Sequence, residues 1–201
     1  MPQPINPFEI LARYHPPTAG SHEILVVHSV LVARLAHEIA RAHLERHAAA
    51  ELDLPFILEA ALLHDIGIGE CDAPGIGCHG REEYIRHGVI GREILEREGL
   101  PRHALVCERH TGSGIRREEV REQGLPLPDR DYLPESAEEK IICIADKFYS
   151  KTPSRLWEKQ PLAKIDVKIA RWGSGPRERW EALKREFLGE GIADCGLRIA
   201  D

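Results

Sequence analysis

The stretch Asp53-Leu54-Pro55-Phe56-Ile57-Leu58-Glu59-Ala60-Ala61-Leu62-Leu63-His64-Asp65-Ile66-Gly67 decides how this chain folds. Asp53 can cap a helix, and Phe56, Ile57, Leu58, Leu62 and Leu63 make that helix apolar nearly all round. Such a helix has no solvent face, so it belongs at the centre of a domain. It is expected to end at Gly67. His64 and Asp65 therefore stand at the end of a buried element, where an unpaired imidazole or carboxylate costs several kcal/mol. A His-Asp pair is close to chance frequency; its position carries the weight.

Working outward, the pattern is helical almost throughout. Asn6 can cap a short helix from Pro7. Ser21 opens a long helix to about His47, with Ile24, Leu25, Leu31, Val32, Leu35 and Ile39 on the 3.6-residue period. Further helices are expected from about Glu82 to Glu98, from Pro101 to near His110, and from the Ser136/Glu139 capping box to about Tyr149. Residues 67–80 carry five glycines and read as a functional loop, and residues 124–134 read as a connector. Beyond Pro153, amphipathic helices are expected around 161–171 and 176–188, anchored by Trp157, Trp172 and Trp180. No strand is expected. The fold class is all-α: a helical domain over residues 1–150, with a C-terminal helical extension over 151–201 packed on the same domain.

Composition narrows the function. The 201 residues are 42% hydrophobic and 30% charged, as in an ordinary globular chain. The net charge of −6 and the 5% aromatic content offer neither a basic field nor stacking platforms, so no nucleic-acid partner is expected. Cys71, Cys78, Cys107, Cys143 and Cys195 form no C-x-x-C pair, which points to a reducing compartment. No apolar run is long enough to span a membrane and no signal peptide is visible; the expected location is cytoplasmic. A homodimer is left open.

The unusual feature is 11 histidines. Helical periodicity turns His28 into the apolar stripe of its helix. Asp146 aligns with Ile142, His87 with Ile90, Gly91 and Ile94, and His110 lies one turn after Val106. With His64 and Asp65, that places six polar groups on inward or terminal positions of five helices. Taken singly, each is also explained as a hydrogen-bonded core residue. Taken together, they match the way helical bundles build metal sites from facing side chains. Imidazole and carboxylate without thiolate suit one or two divalent ions of the Mn, Fe, Co, Ni, Zn or Mg type. The other seven histidines, including His15, His22, His37 and His103, read as surface or loop residues.

His28, then His64-Asp65-Ile66-Gly67, then Asp146 within Ile142-Cys143-Ile144-Ala145-Asp146-Lys147, resembles the HD-domain metal-dependent phosphohydrolase superfamily, the first four-residue run resembling its HDIG subgroup. The resemblance covers about Ser21 to Ser150. It implies an HD-domain helical bundle in which His28, His64, Asp65 and Asp146 hold a first metal, while Asp65 bridges to a second held by His87 and His110. Two divalent ions against two carboxylates would leave a net charge of about +2, which attracts phosphate inside an acidic protein. The implied reaction is hydrolysis of a phosphate ester, a nucleotide or another small phosphorylated metabolite, by metal-activated water. Asp65, His64 and Lys147 are the expected catalytic residues, and Lys147, Lys151, Arg86 and Arg109 the expected substrate-binding cations.

The departures narrow the subgroup. Position 68 is Ile where many HDIG proteins carry lysine. His110 is not followed by a second histidine and glutamate, and no Gly-Tyr-Pro occurs, which argues against a cyclic-di-GMP phosphodiesterase. Ile66-Gly67-Ile68-Gly69 lacks the Glu-Asp pair of guanosine tetraphosphate hydrolases. The same ligands would also serve a mixed-valent di-iron oxygenase, and a non-catalytic metal- or nucleotide-binding regulatory module is a third reading. Other motifs fail: His37-Glu38 meets Arg41 instead of a second histidine, and Gly112-Ser113-Gly114 and Gly173-Ser174-Gly175 follow no strand. Cys71, Cys78 and His79 read as idle loop residues.

Overall fold

A computed structural model describes residues 5–189, so Cys195 and the end of the 151–201 extension lie outside the described residues. The expected all-α class holds. The described residues form the helices α1 (Pro7–Tyr14), α2 (His22–Arg46), α3 (Leu54–Leu63), α4 (His87–Arg97), α5 (Pro101–Arg109), α6 (Arg117–Glu122), α7 (Ala137–Lys147), α8 (Leu162–Ala170) and α9 (Ser174–Phe187).

Caps set several of these boundaries. The Asn6 carboxamide accepts from the backbone N–H groups of Phe8 and Glu9, Asp53 accepts from Phe56, and Ser136 accepts from Glu139. Ser21 does not cap α2 with its side chain; its hydroxyl instead lies 3.1 Å from His15 Nδ1.

The apolar helix α3 is central, packing against α1, α2, α5 and α7. Two clusters meet along it. One joins Val32, Ala36 and Ile39 of α2 to Phe56 and Ile57 of α3, Ile141 and Ile144 of α7, and Ile165, Trp180 and Phe187 of α8 and α9. The other joins Leu25, Leu63, Ile66, Ile68, Ile94, Leu95 and Cys107. Residues 64 and 65 lie between Leu63 and Ile66 of the second cluster.

Four local expectations are corrected. First, α3 stops at Leu63 rather than Gly67, because the His64 ring takes the Ala61 carbonyl and the Cys107 thiol donates to the Leu63 carbonyl; a 3-10 turn then runs over Ile66–Glu70. Second, the helix expected from Glu82 starts at His87, since Arg81 and Glu82 N–H groups bond the Glu70 carbonyl and Glu82 accepts from Asp72. Third, a two-stranded antiparallel ribbon is present, β1 (Asp72–Ala73) pairing with β2 (Cys78–His79). Fourth, α6 was not expected: six residues with Val120 as their one buried side chain show no periodicity to read.

The tryptophans divide. Trp180 is buried as expected, whereas Trp157 is 68% and Trp172 44% exposed. No helix among the described residues is long and apolar enough to cross a membrane. Cys71, Cys78, Cys107 and Cys143 are buried and unpaired.

Candidate metal centre

Five helices deliver the six polar groups to one place. His28 comes from α2, His64 is the C-cap of α3, with Asp65 next to it, His87 is the first residue of α4, His110 is the C-cap of α5, and Asp146 lies on α7. All six are buried. They fall into two groups sharing one residue: His28, His64, Asp65 and Asp146, and Asp65, His87 and His110. Within each group, potential ligand atoms lie within 4.8 Å of one another.

A local device aims three of the imidazoles. Nδ1 of His64 lies 2.7 Å from the Ala61 carbonyl, that of His87 2.6 Å from Tyr84, and that of His110 2.8 Å from Cys107. In each case the acceptor is three residues earlier. A carbonyl only accepts, so Nδ1 carries the proton and Nε2 points into the cluster. This is the orientation that readies histidine as a ligand. At the ends of α3 and α5 the carbonyls used are among those a helix terminus leaves unpaired.

Asp65 divides its two oxygens between the groups. Oδ2 lies 2.9 Å from His64 Nε2, 3.2 Å from His28 Nε2 and 2.5 Å from the Lys151 ammonium. Oδ1 faces the other way, 3.4 Å from His110 Nε2 and 3.6 Å from His87 Nε2. Asp146 Oδ1 lies 3.0 Å from His28 and 3.4 Å from His64. Its Oδ2 accepts from Lys147 at 2.6 Å.

Two features fit divalent ions better than a plain hydrogen-bonded core. Oδ1 of Asp65 is fully buried and meets only the His110 and His87 Nε2 atoms, at 3.4 and 3.6 Å, without a hydrogen bond, an arrangement that ordinarily costs stability. Nε2 of His87 and Nε2 of His110 also face each other at 3.1 Å. With both Nδ1 atoms protonated, two lone pairs are opposed there, and a cation removes that repulsion. A divalent metal at a hundred times its Kd should therefore stabilise the fold by about 2.7 kcal/mol and raise Tm by roughly 5–10 °C, reversibly on chelation. Thermal unfolding with and without chelator checks this.

The charges follow from the same packing. Burial opposes ionisation of Asp65, but His64 and Lys151 outweigh it and hold the carboxyl well below its usual range. Burial, aided by His110, pushes His87 down to about 3, and burial also lowers His110. For His64, burial opposes the charge, but Asp65 and Asp146 prevail and lift it to about 9. A folded pKa raised above the ordinary 6.5 gives stability that is complete below pH 6.5 and lost as pH rises through 9. His87 and His110, shifted downward, do not titrate in that window. The metal-free protein should thus show a falling urea midpoint between pH 6.5 and 9, while metal affinity rises as His64 sheds the competing proton.

The site opens into a cavity of about 420 Å3 whose walls include His87, His110, Asp146, Lys147 and Lys151. Lys147 also donates to the His110 carbonyl at 3.1 Å. The two expected arginines are engaged elsewhere and do not line the cavity. Arg109 pairs with Glu135 and Glu139, each at 3.1 Å; Arg86 pairs with Glu82 and donates to the Pro126 carbonyl. Residues that sequence reading missed include Tyr84, Lys168 and Trp172, all at the cavity wall. Only Tyr84 carried a signal, standing one helical turn before His87. His15 and His103, expected at the surface, are buried: His15 ties the Ser21 hydroxyl to the Ile66 carbonyl, and His103 faces Glu59.

Inside this helical domain, two histidine–carboxylate groups that could hold metal ions share one aspartate. Residues 25–150 match the HD domain family, a span that includes all six groups. The chain belongs to that family, the HD-domain metal-dependent phosphohydrolase superfamily. It is 40% identical over 127 residues to an uncharacterised protein of Methanocaldococcus jannaschii, a match covering 63% of this chain and 66% of that protein. It is also 35% identical over 132 residues to a tRNA (cytidine(56)-2'-O)-methyltransferase of Thermoplasma volcanium and 33% identical over 121 residues to one of Picrophilus torridus. Those matches cover 65% and 60% of this chain but only 33% and 32% of the two methyltransferases. No solved structure matches the chain.

Proposed function

We propose that this chain is a metal-dependent phosphohydrolase acting on a small phosphate ester, a nucleotide or another phosphorylated metabolite, in the cytoplasm. The observation that carries the reading is Asp65, one carboxylate presenting one oxygen to each of two histidine groups, whose members His87, His110 and Asp146 line a cavity together with Lys147 and Lys151. His28, His64, Asp65 and Asp146 would hold one divalent ion, and Asp65, His87 and His110 a second. Such ions supply a nucleophilic water at neutral pH and neutralise charge on a transferring phosphoryl group.

The chain's own groups do the rest. The Ala61, Tyr84 and Cys107 carbonyls fix which imidazole nitrogen is available. Lys147 and Lys151 bring positive charge to the cavity from beside Asp146 and Asp65, which favours an anionic ligand and orients it over the buried centre. That charge supports hydrolysis of a phosphate ester over the activation of dioxygen. One chain carries both groups, so the centre does not need a second copy. Methyl transfer is not carried over from the two methyltransferase relatives, since the shared segment is about a third of each. The net charge of −6 supports a small substrate over a polynucleotide.

The test is phosphate release from a panel of nucleotides and phosphomonoesters by protein loaded in turn with Mn, Fe, Co, Ni, Zn and Mg. Release with at least one ion, abolished by His64→Ala with helicity retained, supports the proposal. No release with any ion, together with oxygen uptake by the iron-loaded protein, would replace hydrolysis with the oxygenase reading.

A further inference from the structure

A second cavity, of about 220 Å3, lies beside the first. The two share Thr111, Gly112 and Trp172 in their walls. Its chemistry is the opposite of its neighbour's. Ile85, Ile115, Leu125, Pro176 and Trp172 make it largely apolar. Glu119 is the one ionisable residue among its lining, and its carboxylate is engaged by Arg179 at 2.7 Å and by the Arg116 backbone N–H at 2.7 Å. The Ser113 hydroxyl donates to the Pro176 carbonyl. No free charge is left there for a second phosphate.

The shape is also specific. Gly112 and Gly114 adopt positive φ, 63° and 87°, so the loop after α5 presents bare backbone. A Cβ on Gly112 would lie 3.4 Å from Cζ3 of Trp172, so the indole lies close over that backbone. The Lys168 ammonium, 5.8 Å from the indole ring centre, attends the same ring from the first cavity. An indole beside a glycine backbone, 44% exposed although large and apolar, suits a flat ring. Trp172 and Pro176 lie beyond residue 150, where the family match ends. The C-terminal extension therefore supplies this wall.

We infer that the ligand is bipartite: its phosphate lies at Lys147 and Lys151, and it carries an uncharged planar aromatic group that occupies the second cavity against Trp172, the residue that sets specificity. This rests on the phosphohydrolase reading and names the substrate class within it, an aromatic phosphate ester.

Two non-hydrolysable probes separate the subsites: methylphosphonate and 2-naphthylphosphonate, titrated calorimetrically into the metal-loaded full chain. The naphthyl probe should bind about tenfold or more tighter than the methyl probe. Trp172→Ala should remove most of that advantage, weakening the naphthyl probe several-fold more than methylphosphonate, and Trp172→Phe should restore much of it. Equal affinity for the two probes, or an equal loss for both in Trp172→Ala, overturns the inference and leaves the hydrolase reading standing. If neither probe binds and no ester is hydrolysed, both fall together.

Discussion

Asp65→Asn should reduce phosphate release by on the order of 10^3-fold or more and lower the bound metal by at least one ion per chain. The reason is that both histidine groups share this one carboxylate: Oδ2 faces His28 and His64, and Oδ1 faces His87 and His110. Loss of a single preorganised polar contact in an active site costs about 10²–10³ in rate, and this residue belongs to two sets at once. The amide keeps the size of the side chain but loses its charge and one acceptor. It also leaves the buried Lys151 ammonium, 2.5 Å from Oδ2, without its nearest counter-charge. Metal analysis and steady-state rates on a sample with native circular dichroism check the prediction. A variant that still binds two ions and turns over at the native rate would remove Asp65 from the centre.

Gly67→Ala should destabilise the fold by about 3 kcal/mol, a fall in Tm of roughly 10 °C, and impair metal binding at the His87/His110 group. A Cβ at position 67 would stand 2.2 Å from the His87 carbonyl oxygen and 2.5 Å from the Gly91 backbone nitrogen. Both are main-chain atoms of α4, so no side chain can rotate away; the helix that carries His87 must move from the segment that carries Asp65. Gly75→Ala is the control in the same loop, since a Cβ there meets nothing within 4 Å. Equal unfolding temperatures for the two variants would contradict this account.

Much of the centre was legible in the chain. His28 lies on the apolar stripe of a 25-residue helix, and Asp146 follows a run of buried isoleucines, so periodicity alone turned both inward. His64 and Asp65 were marked by the helix they terminate. The glycine of His64-Asp65-Ile66-Gly67 was visible as a helix stop, but not as the place where α4 touches the chain, because a close approach between distant segments leaves no local pattern.

The cations were harder to sort. Lys151, Arg86 and Arg109 all stand near ligands in sequence, yet only Lys151 turns to the centre. Arg109 meets Glu135 and Glu139, which lie 26 and 30 positions further along the chain. Long flexible side chains choose partners by proximity in three dimensions, so sequence adjacency cannot rank them. The wall of the second cavity was hidden for a similar reason. Trp172 was expected to pack inward, and instead stands exposed between two cavities.

The sequence by itself determined that this is an all-α domain and that His28, His64, Asp65, His87, His110 and Asp146 stand on inward or terminal positions of its helices, because helical periodicity and capping are local and repeat every few residues. Only the tertiary structure decided that one aspartate faces two histidine groups with separate oxygens, that Lys147 and Lys151 rather than the arginines stand over them, and that Trp172 closes a second cavity. Each of these depends on a few ångströms between segments far apart in the chain, a distance set by packing and carried by no local pattern.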